Sequence, residues 1–222
     1  MKHAKKNHAM ISAAVLALVA AAAVACSAAT AGSPLGKGSS PASRTVGSQV
    51  SSLLQSGLAQ ANKDNWAAAA TNFQGVLALS PLNVYANYDL GVIAQNTGSP
   101  DEALTYYNKA LAASPAYTPA MYNKAILLES SEPRQAIAVY QKIVSIDSKA
   151  STAYLRMALM QAELGEISAA KVNDAKAVSL NPAFSKYKLP TKNQPLPRKQ
   201  PNVANRTLRI GFHSQPPPNL PE

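Results

Sequence analysis

The stretch that decides the fold is residues 84–117, VYANYDLGVIAQNTGSPDEALTYYNKALAASPAY. Two apolar-periodic segments within it, Tyr85 to Gln95 and Asp101 to Ala112, are each long enough for a helix. The turn residues NTGSP lie between them and are typical of a break between two helices. The stretch therefore predicts a helical hairpin.

The start of the second helix carries several helix signals. Ser99 with Glu102 fits a capping box, in which each side chain accepts a hydrogen bond from a free backbone N–H group. Pro100 stands at the first helical position, where proline is favoured, and Pro115 predicts the end of this helix.

The hairpin pattern recurs along the chain with a nearly constant period. Corresponding alanines are 34, 33 and 34 residues apart, at Ala69, Ala103, Ala136 and Ala170. Four residues further on in each unit stand Phe73, Tyr107, Tyr140 and Asp174. A single hairpin cannot bury its own apolar face, so units repeated with this period are expected to stack.

This pattern resembles the tetratricopeptide repeat (TPR) family, whose units are 34 residues long. The resemblance implies an all-α fold, a right-handed superhelix of about four helix-turn-helix repeats with disordered N- and C-terminal extensions. The last helix contains Asn173, Asp174 and Lys176, and we expect it to face water and close the stack. The predicted repeats are residues 50–83, 84–117, 118–150 and 151–184.

The same resemblance implies a binding groove, because TPR-like stacks bind peptides or proteins on the concave face formed by the first helices. Tyrosine suits such a surface, since it offers a large contact area and a polar tip. Arg156 is interpreted as a lone cation. The expected lining residues are Leu54, Leu58, Tyr85, Tyr88, Val92, Tyr122, Asn123, Ile126, Leu155, Arg156 and Leu159.

The tyrosines divide into two groups by their place in the repeat. Tyr107, Tyr140 and Tyr154 occupy core positions, so we assign them to packing. For Tyr85, Tyr88 and Tyr122, packing and ligand contact both stay open. Replacing Tyr88 or Tyr122 with alanine is expected to weaken ligand capture without unfolding the chain.

No catalytic or metal-binding motif is recognisable in the sequence. The three histidines, His3, His8 and His213, lie outside the repeats, as does the single cysteine, Cys26. The sequence has no phosphate-binding glycine loop, HExxH or GxSxG motif. We therefore predict a protein that is not an enzyme, with no metal, cofactor or small-molecule substrate.

Residues 1–31 resemble a signal peptide or membrane anchor. A basic start, MKHAKKNHA, precedes the uncharged run MISAAVLALVAAAAVA. The segment Ala23-Val24-Ala25-Cys26 resembles a bacterial lipoprotein lipobox, which implies acylation of Cys26, although Ala23 stands where leucine is usual. An uncleaved anchor over residues 11–31 and cleavage with free secretion stay open. All three place the domain outside the cytoplasm, either tethered to the outer face of the membrane or secreted.

Charge and composition distinguish the ends from the repeats. Residues 32–49 are rich in Gly, Ser and Pro and predict a flexible linker, and residues 185–222 predict a disordered, basic, Pro-rich tail. The net charge is +10, but residues 50–184 carry nine cations and ten acids. A near-neutral domain lacks the basic face that nucleic-acid binding needs.

Two functions remain on this basis. The first is an exported, membrane-tethered interaction scaffold that binds a protein or peptide partner in the concave groove. The alternative is a structural envelope protein, whose basic tail contacts anionic lipid or cell-wall polymer while the repeats act as a spacer.

Overall fold

The computed structural model describes residues 41–189, which form eight α-helices and one 3₁₀ helix. Within this range there is no β-strand, so the predicted all-α fold is confirmed. The α-helices are α1 (Pro41–Ala61), α2 (Trp66–Leu79), α3 (Val84–Asn96), α4 (Pro100–Ala113), α5 (Thr118–Leu128), α6 (Pro133–Ile146), α7 (Ser151–Glu163) and α8 (Ile167–Leu180), and the 3₁₀ helix is Pro182–Lys186.

Each helix packs mainly against its neighbours in chain order. The most extensive contacts are those of α1 with α2, α3 with α4, α5 with α6 and α7 with α8, which are the four predicted hairpins. Successive hairpins join through α2 with α3, α4 with α5 and α6 with α7, and α3 also contacts α5. The hairpins therefore form the TPR-like stack that the period of the sequence predicts.

The turn between α3 and α4 depends on backbone conformation. Gly98 has a φ angle of +82°, which a residue with a Cβ atom rarely adopts. The predicted capping box is wrong: Ser99 is the N-cap residue of α4, but its side chain makes no capping hydrogen bond. A side-chain cap occurs instead at α3, where the backbone N–H of Ala86 donates to Asn83 Oδ1 at 2.9 Å.

Small residues on the first helices let the two helices of a hairpin approach closely. A Cβ atom built on Gly91 would lie 2.5 Å from Tyr107 Cε1, and one built on Gly57 would lie 2.6 Å from Phe73 Cε1. Tyr107 and Tyr140 are fully buried, so their assignment to packing is confirmed. The four periodic alanines, Ala69, Ala103, Ala136 and Ala170, are also fully buried.

The first helix begins earlier than expected. Pro41 is the first residue of α1, so the second half of the predicted 32–49 linker is helical. Proline fits the first turn of a helix, because the N–H group that it lacks would have no partner there. The Ser48 hydroxyl donates to the Thr45 carbonyl oxygen at 2.8 Å, which gives this exposed turn a local hydrogen bond.

The chain after α8 is also more ordered than predicted. Phe184 is buried in one cluster with Leu155 and Leu159 of α7, and Tyr187 and Leu189 pack against that cluster. The predicted tail therefore begins with a packed segment that covers α7. Residues 1–40 and 190–222, with the predicted signal or anchor and Cys26, lie outside the described residues.

Among the helices of residues 41–189, none combines the length and the apolar character that crossing a membrane requires.

Candidate peptide-binding surface

The predicted groove residues lie on α1, α3, α5 and α7, the first helices of the four hairpins, and they differ in burial. A buried side chain offers a ligand almost no surface, so the accessible part of the predicted groove is the partly exposed group. The buried group is Tyr88, Val92, Asn123, Leu155, Arg156 and Leu159. The partly exposed group is Leu54, Leu58, Tyr85, Tyr122 and Ile126.

Three tyrosines meet between the second and third hairpins and are called here the aromatic cluster: Tyr85, Tyr88 and Tyr117. The ring of Tyr117 stands edge-on to that of Tyr88, with 5.4 Å between centroids, and edge-on to that of Tyr85, with 5.9 Å. Such edge-to-face pairs are favourable arrangements of aromatic rings. Tyr85 and Tyr117 are partly exposed, so the cluster reaches the surface.

Sequence reasoning missed Tyr117, because this residue lies in the connection between two hairpins and serves as the N-cap residue of α5. Its position between Pro115 and the start of α5 could have indicated its place, because this connection returns the chain to the face of the first helices.

Polar contacts lie beneath the aromatic cluster. The Asn123 amide nitrogen lies 3.3 Å from both the Tyr88 and the Tyr107 hydroxyl oxygens. The Tyr107 hydroxyl in turn donates to Gln95 Oε1 at 2.8 Å. Asn123 is 1% exposed, so it connects the second and third hairpins and has no free surface for a ligand.

Tyr88 belongs to the same buried contacts. It is 5% exposed and packs against Tyr107 and Tyr117. Replacing Tyr88 with alanine would leave a cavity and remove one of the two acceptors for Asn123. The expectation that this change spares the fold therefore disagrees with the structure. Tyr85 is the better probe of ligand contact, because it is partly exposed.

A second buried polar group joins the third and fourth hairpins. Arg156 Nη1 donates to Glu129 Oε2 at 2.7 Å, and the Tyr140 hydroxyl donates to Glu129 Oε1 at 2.7 Å. The Arg156 and Glu129 side chains are each 8% exposed. The interpretation of Arg156 as a lone cation is therefore wrong, because Arg156 forms an ion pair with Glu129. The sequence could not show this pair, since Glu129 belongs to the preceding hairpin.

The electrostatic environment keeps these tyrosines protonated. Burial, followed by the negative charge of Asp89, raises the pKa of the Tyr88 hydroxyl. Burial is also the main reason why the pKa of Tyr117 is raised, with smaller contributions from Tyr88 and Asp89. Burial, with the charge of Asp147, raises the pKa of Tyr122 to about 12. At neutral pH these hydroxyl groups are uncharged hydrogen-bonding groups.

Leu155 and Leu159 illustrate why position in the repeat did not decide exposure. The segment 182–189 covers the face of α7 that a further hairpin would otherwise cover.

Within residues 41–189, no three His, Cys, Asp or Glu side chains are grouped so that they could hold a metal ion.

Comparison with known proteins agrees with this architecture. Residues 54–118 match the tetratricopeptide repeat family. The photosystem I assembly protein Ycf3 of Acaryochloris marina (strain MBIC 11017) is 35% identical to this chain over 77 residues, which cover 33% of this chain and 46% of that protein. This chain thus matches less than half the length of that curated relative.

Solved structures show the same fold over a larger share of the chain. MamA from Desulfovibrio magneticus RS-1, residues 41 to the end, is 25% identical with a TM-score of 0.54, covering 60% of this chain and 76% of that one. YrrB, described as a TPR protein with an unusual peptide-binding site, is 19% identical with a TM-score of 0.52, covering 60% and 69%. The described helices therefore have a TPR-like fold.

Proposed function

We propose that this protein is a non-enzymatic interaction scaffold that binds an extended peptide or protein segment on the face of its first helices. The TPR-like fold supports this proposal, because stacked repeats create extended surfaces that such proteins use for binding. The described peptide-binding site of YrrB shows that a protein of similar fold binds a peptide.

The observation that carries the proposal is the partial exposure of Tyr85 and Tyr117 on the aromatic cluster. The two rings are supported from below by the buried Tyr88. An aromatic ring held in place by its neighbours loses little conformational freedom when a ligand docks on it. Tyr122 and Ile126 continue a partly exposed apolar surface along α5.

The proposal includes export and membrane tethering. Its support is the basic and then apolar order of residues 1–25, followed by Cys26. Acylation of Cys26 or an uncleaved anchor would hold the scaffold at the outer face of the membrane, whereas cleavage alone would release it. The mass of the mature N-terminal peptide distinguishes these outcomes, because a diacylated Cys26, an intact Met1 and a free Cys26 or later residue differ in mass.

A peptide-display selection against the full chain tests the binding proposal. We expect enriched peptides with apolar side chains, and we expect Tyr85→Ala to weaken their binding about tenfold, as for a central aromatic contact. The matched control is Tyr106→Ala, since Tyr106 is also partly exposed but lies on the second helix α4, with Lys109 Nζ 5.3 Å from its ring centroid. Equal loss of binding in both variants, or no loss in either, would contradict the proposal.

A further inference from the structure

The second hairpin differs from the other three in charge and aromatic content. Residues 84–117 contain five tyrosines of the nine in the chain, with three acids and one cation. The other units carry at least as many cations as acids. One acid of the second hairpin, Asp89, lies on α3 among the tyrosines, where its charge contributes to the raised pKa of Tyr88, Tyr107 and Tyr117. The aromatic cluster therefore lies above one buried acid, whereas the other two acids of the hairpin, Asp101 and Glu102, are exposed on α4.

Residues 190–222 have the complementary chemistry. They contain eight prolines, five Lys or Arg residues and one acid. The segment Pro195-Leu196-Pro197-Arg198-Lys199 places prolines, an apolar side chain and two cations next to one another. Proline-rich segments favour the extended polyproline II conformation and dock on grooves lined by aromatic rings. Arg side chains also stack favourably on aromatic faces.

The geometry allows this segment to reach the cluster within one chain. The described part of the chain ends at Leu189, which packs near Leu155 and Leu159 of α7. From α7 to α3 there are four helix-to-helix steps, or at most about 40 Å at about 8–10 Å a step. A chain with the length of residues 190–222 would reach up to about 100 Å, at the roughly 3.1 Å per residue of polyproline II.

We infer that residues 190–222 bind the aromatic cluster of their own chain, with the prolines on Tyr85 and Tyr117 and the cations attracted by the negative charge of Asp89, which is buried beneath these rings. This inference rests on the proposed function, because it uses the same face for binding. Attachment to the same chain gives the segment an effective concentration in the millimolar range, so even a weak contact is largely formed. A partner peptide must then displace it, which makes the segment an internal competitor.

Photocrosslinking of the full chain tests the inference. Benzoylphenylalanine replaces Tyr85, and the crosslinked peptides of the monomer are identified by mass spectrometry. We expect crosslinks to residues 190–222, and we expect their yield to fall at least fivefold in high salt and in the variant with Arg198→Glu and Lys199→Glu. Benzoylphenylalanine in place of Tyr106 is the matched control and should give little crosslinking to this segment.

Three outcomes would overturn the inference: no crosslink from position 85 to residues 190–222, a yield unaffected by the charge reversal, or crosslinks only in covalent dimers, which would make a second copy the occupant. The proposed function is tested separately by peptide binding. If Tyr85→Ala abolishes peptide binding while no crosslink to the segment forms, the proposed function stands and this inference fails. If Tyr85→Ala leaves peptide binding unchanged and no crosslink to residues 190–222 forms, both the proposed function and this inference fail.

Discussion

At the scale of single residues, the hairpins depend on contacts between a small residue on the first helix and a ring on the second. Gly91 lies directly under Tyr107, whereas in the third hairpin Ala125 and the fully buried Tyr140 occupy the corresponding positions. The sequence was sufficient to predict these core tyrosines, because they recur with the period of the repeat.

Replacing Gly91 with alanine tests this close approach. The added Cβ would lie 2.5 Å from Tyr107 Cε1, so α3 and α4 must move apart or the ring must shift. Overpacking costs about 1–3 kcal/mol, and two contacts of 2.5 and 2.6 Å with the Tyr107 ring place this change in the upper part of that range. The better helix propensity of alanine returns about 1 kcal/mol, so we expect a net loss of about 1–2 kcal/mol in the free energy of unfolding. Urea denaturation measures it.

Gly47→Ala is the matched control, since a Cβ atom at helical residue 47 meets nothing within 4 Å. This variant should be as stable as the wild-type chain or slightly more stable. If Gly91→Ala were also neutral or stabilising, the described packing of Tyr107 on α3 would be wrong.

The ion pair between Arg156 and Glu129 provides a second test at this scale. Removing one partner leaves a buried charge, so Arg156→Met should lower the free energy of unfolding by about 3–5 kcal/mol. The control is Arg134→Met, because the ion pair of Arg134 with Glu166 is almost as short, at 2.8 Å, but the Arg134 side chain is 75% exposed. We expect that change to cost less than about 1 kcal/mol. Similar losses in thermal denaturation of the two variants would contradict the burial of the inner pair.

This pair also shows what the sequence could not predict. Arg156 and Glu129 belong to different hairpins and are 27 residues apart, and no periodic pattern connects an isolated cation with an isolated acid. The same holds for Asn123, whose two tyrosine partners lie on α3 and α4. The resemblance to the TPR family placed Arg156 and Asn123 in the groove, whereas in the structure both lie at junctions between hairpins.

At the scale of whole elements, the ends of the stack departed most from expectation. Repeat positions indicate where helices lie inside a stack, but they carry no information about what covers its last face. Phe184 is the last residue of the fourth predicted unit, and Tyr187 and Leu189 follow that unit. All three pack against α7. At the other end, Pro41 begins a helix in a stretch whose Gly and Ser content predicted a linker.

Removing the Phe184 ring tests the covering role of segment 182–189. Phe184 is 6% exposed, so Phe184→Ala should cost about 3–5 kcal/mol. Because each described hairpin packs mainly against its neighbours, hydrogen exchange should accelerate most in α7 and α8 and least in α1 and α2. Leu82→Ala, at a residue that is 70% exposed, is the control and should leave exchange unchanged. Uniform acceleration along the chain after Phe184→Ala would argue against a local cap.

At the scale of the whole molecule, buried tyrosines are expected to make the folded chain less stable as the pH rises into the alkaline range. The pKa of Tyr122 is raised to about 12 from 10.0, and burial also raises the pKa of Tyr140. The folded state thus favours the protonated hydroxyls. Their contribution to stability is complete below pH 10 and is lost as the pH rises from 10 towards 12 and beyond.

Parallel alkaline titrations of tyrosinate absorbance and helical circular dichroism check this dependence. We expect part of the tyrosinate signal to appear only together with the loss of helicity, at a pH above 10. In Tyr122→Phe the unfolding transition should shift to higher pH. Ionisation of the Tyr122 hydroxyl favours the unfolded state, and phenylalanine has no group that ionises. Complete ionisation of all nine tyrosines with helicity retained would contradict the described burial.

The most direct test of the account is where a bound peptide contacts the isotopically labelled full chain, measured by changes in backbone amide chemical shift. We expect the largest changes on α3 and at the start of α5, around Tyr85, Tyr117 and Tyr122. Changes confined to the second helices α4 and α6, with the first helices unaffected, would contradict it.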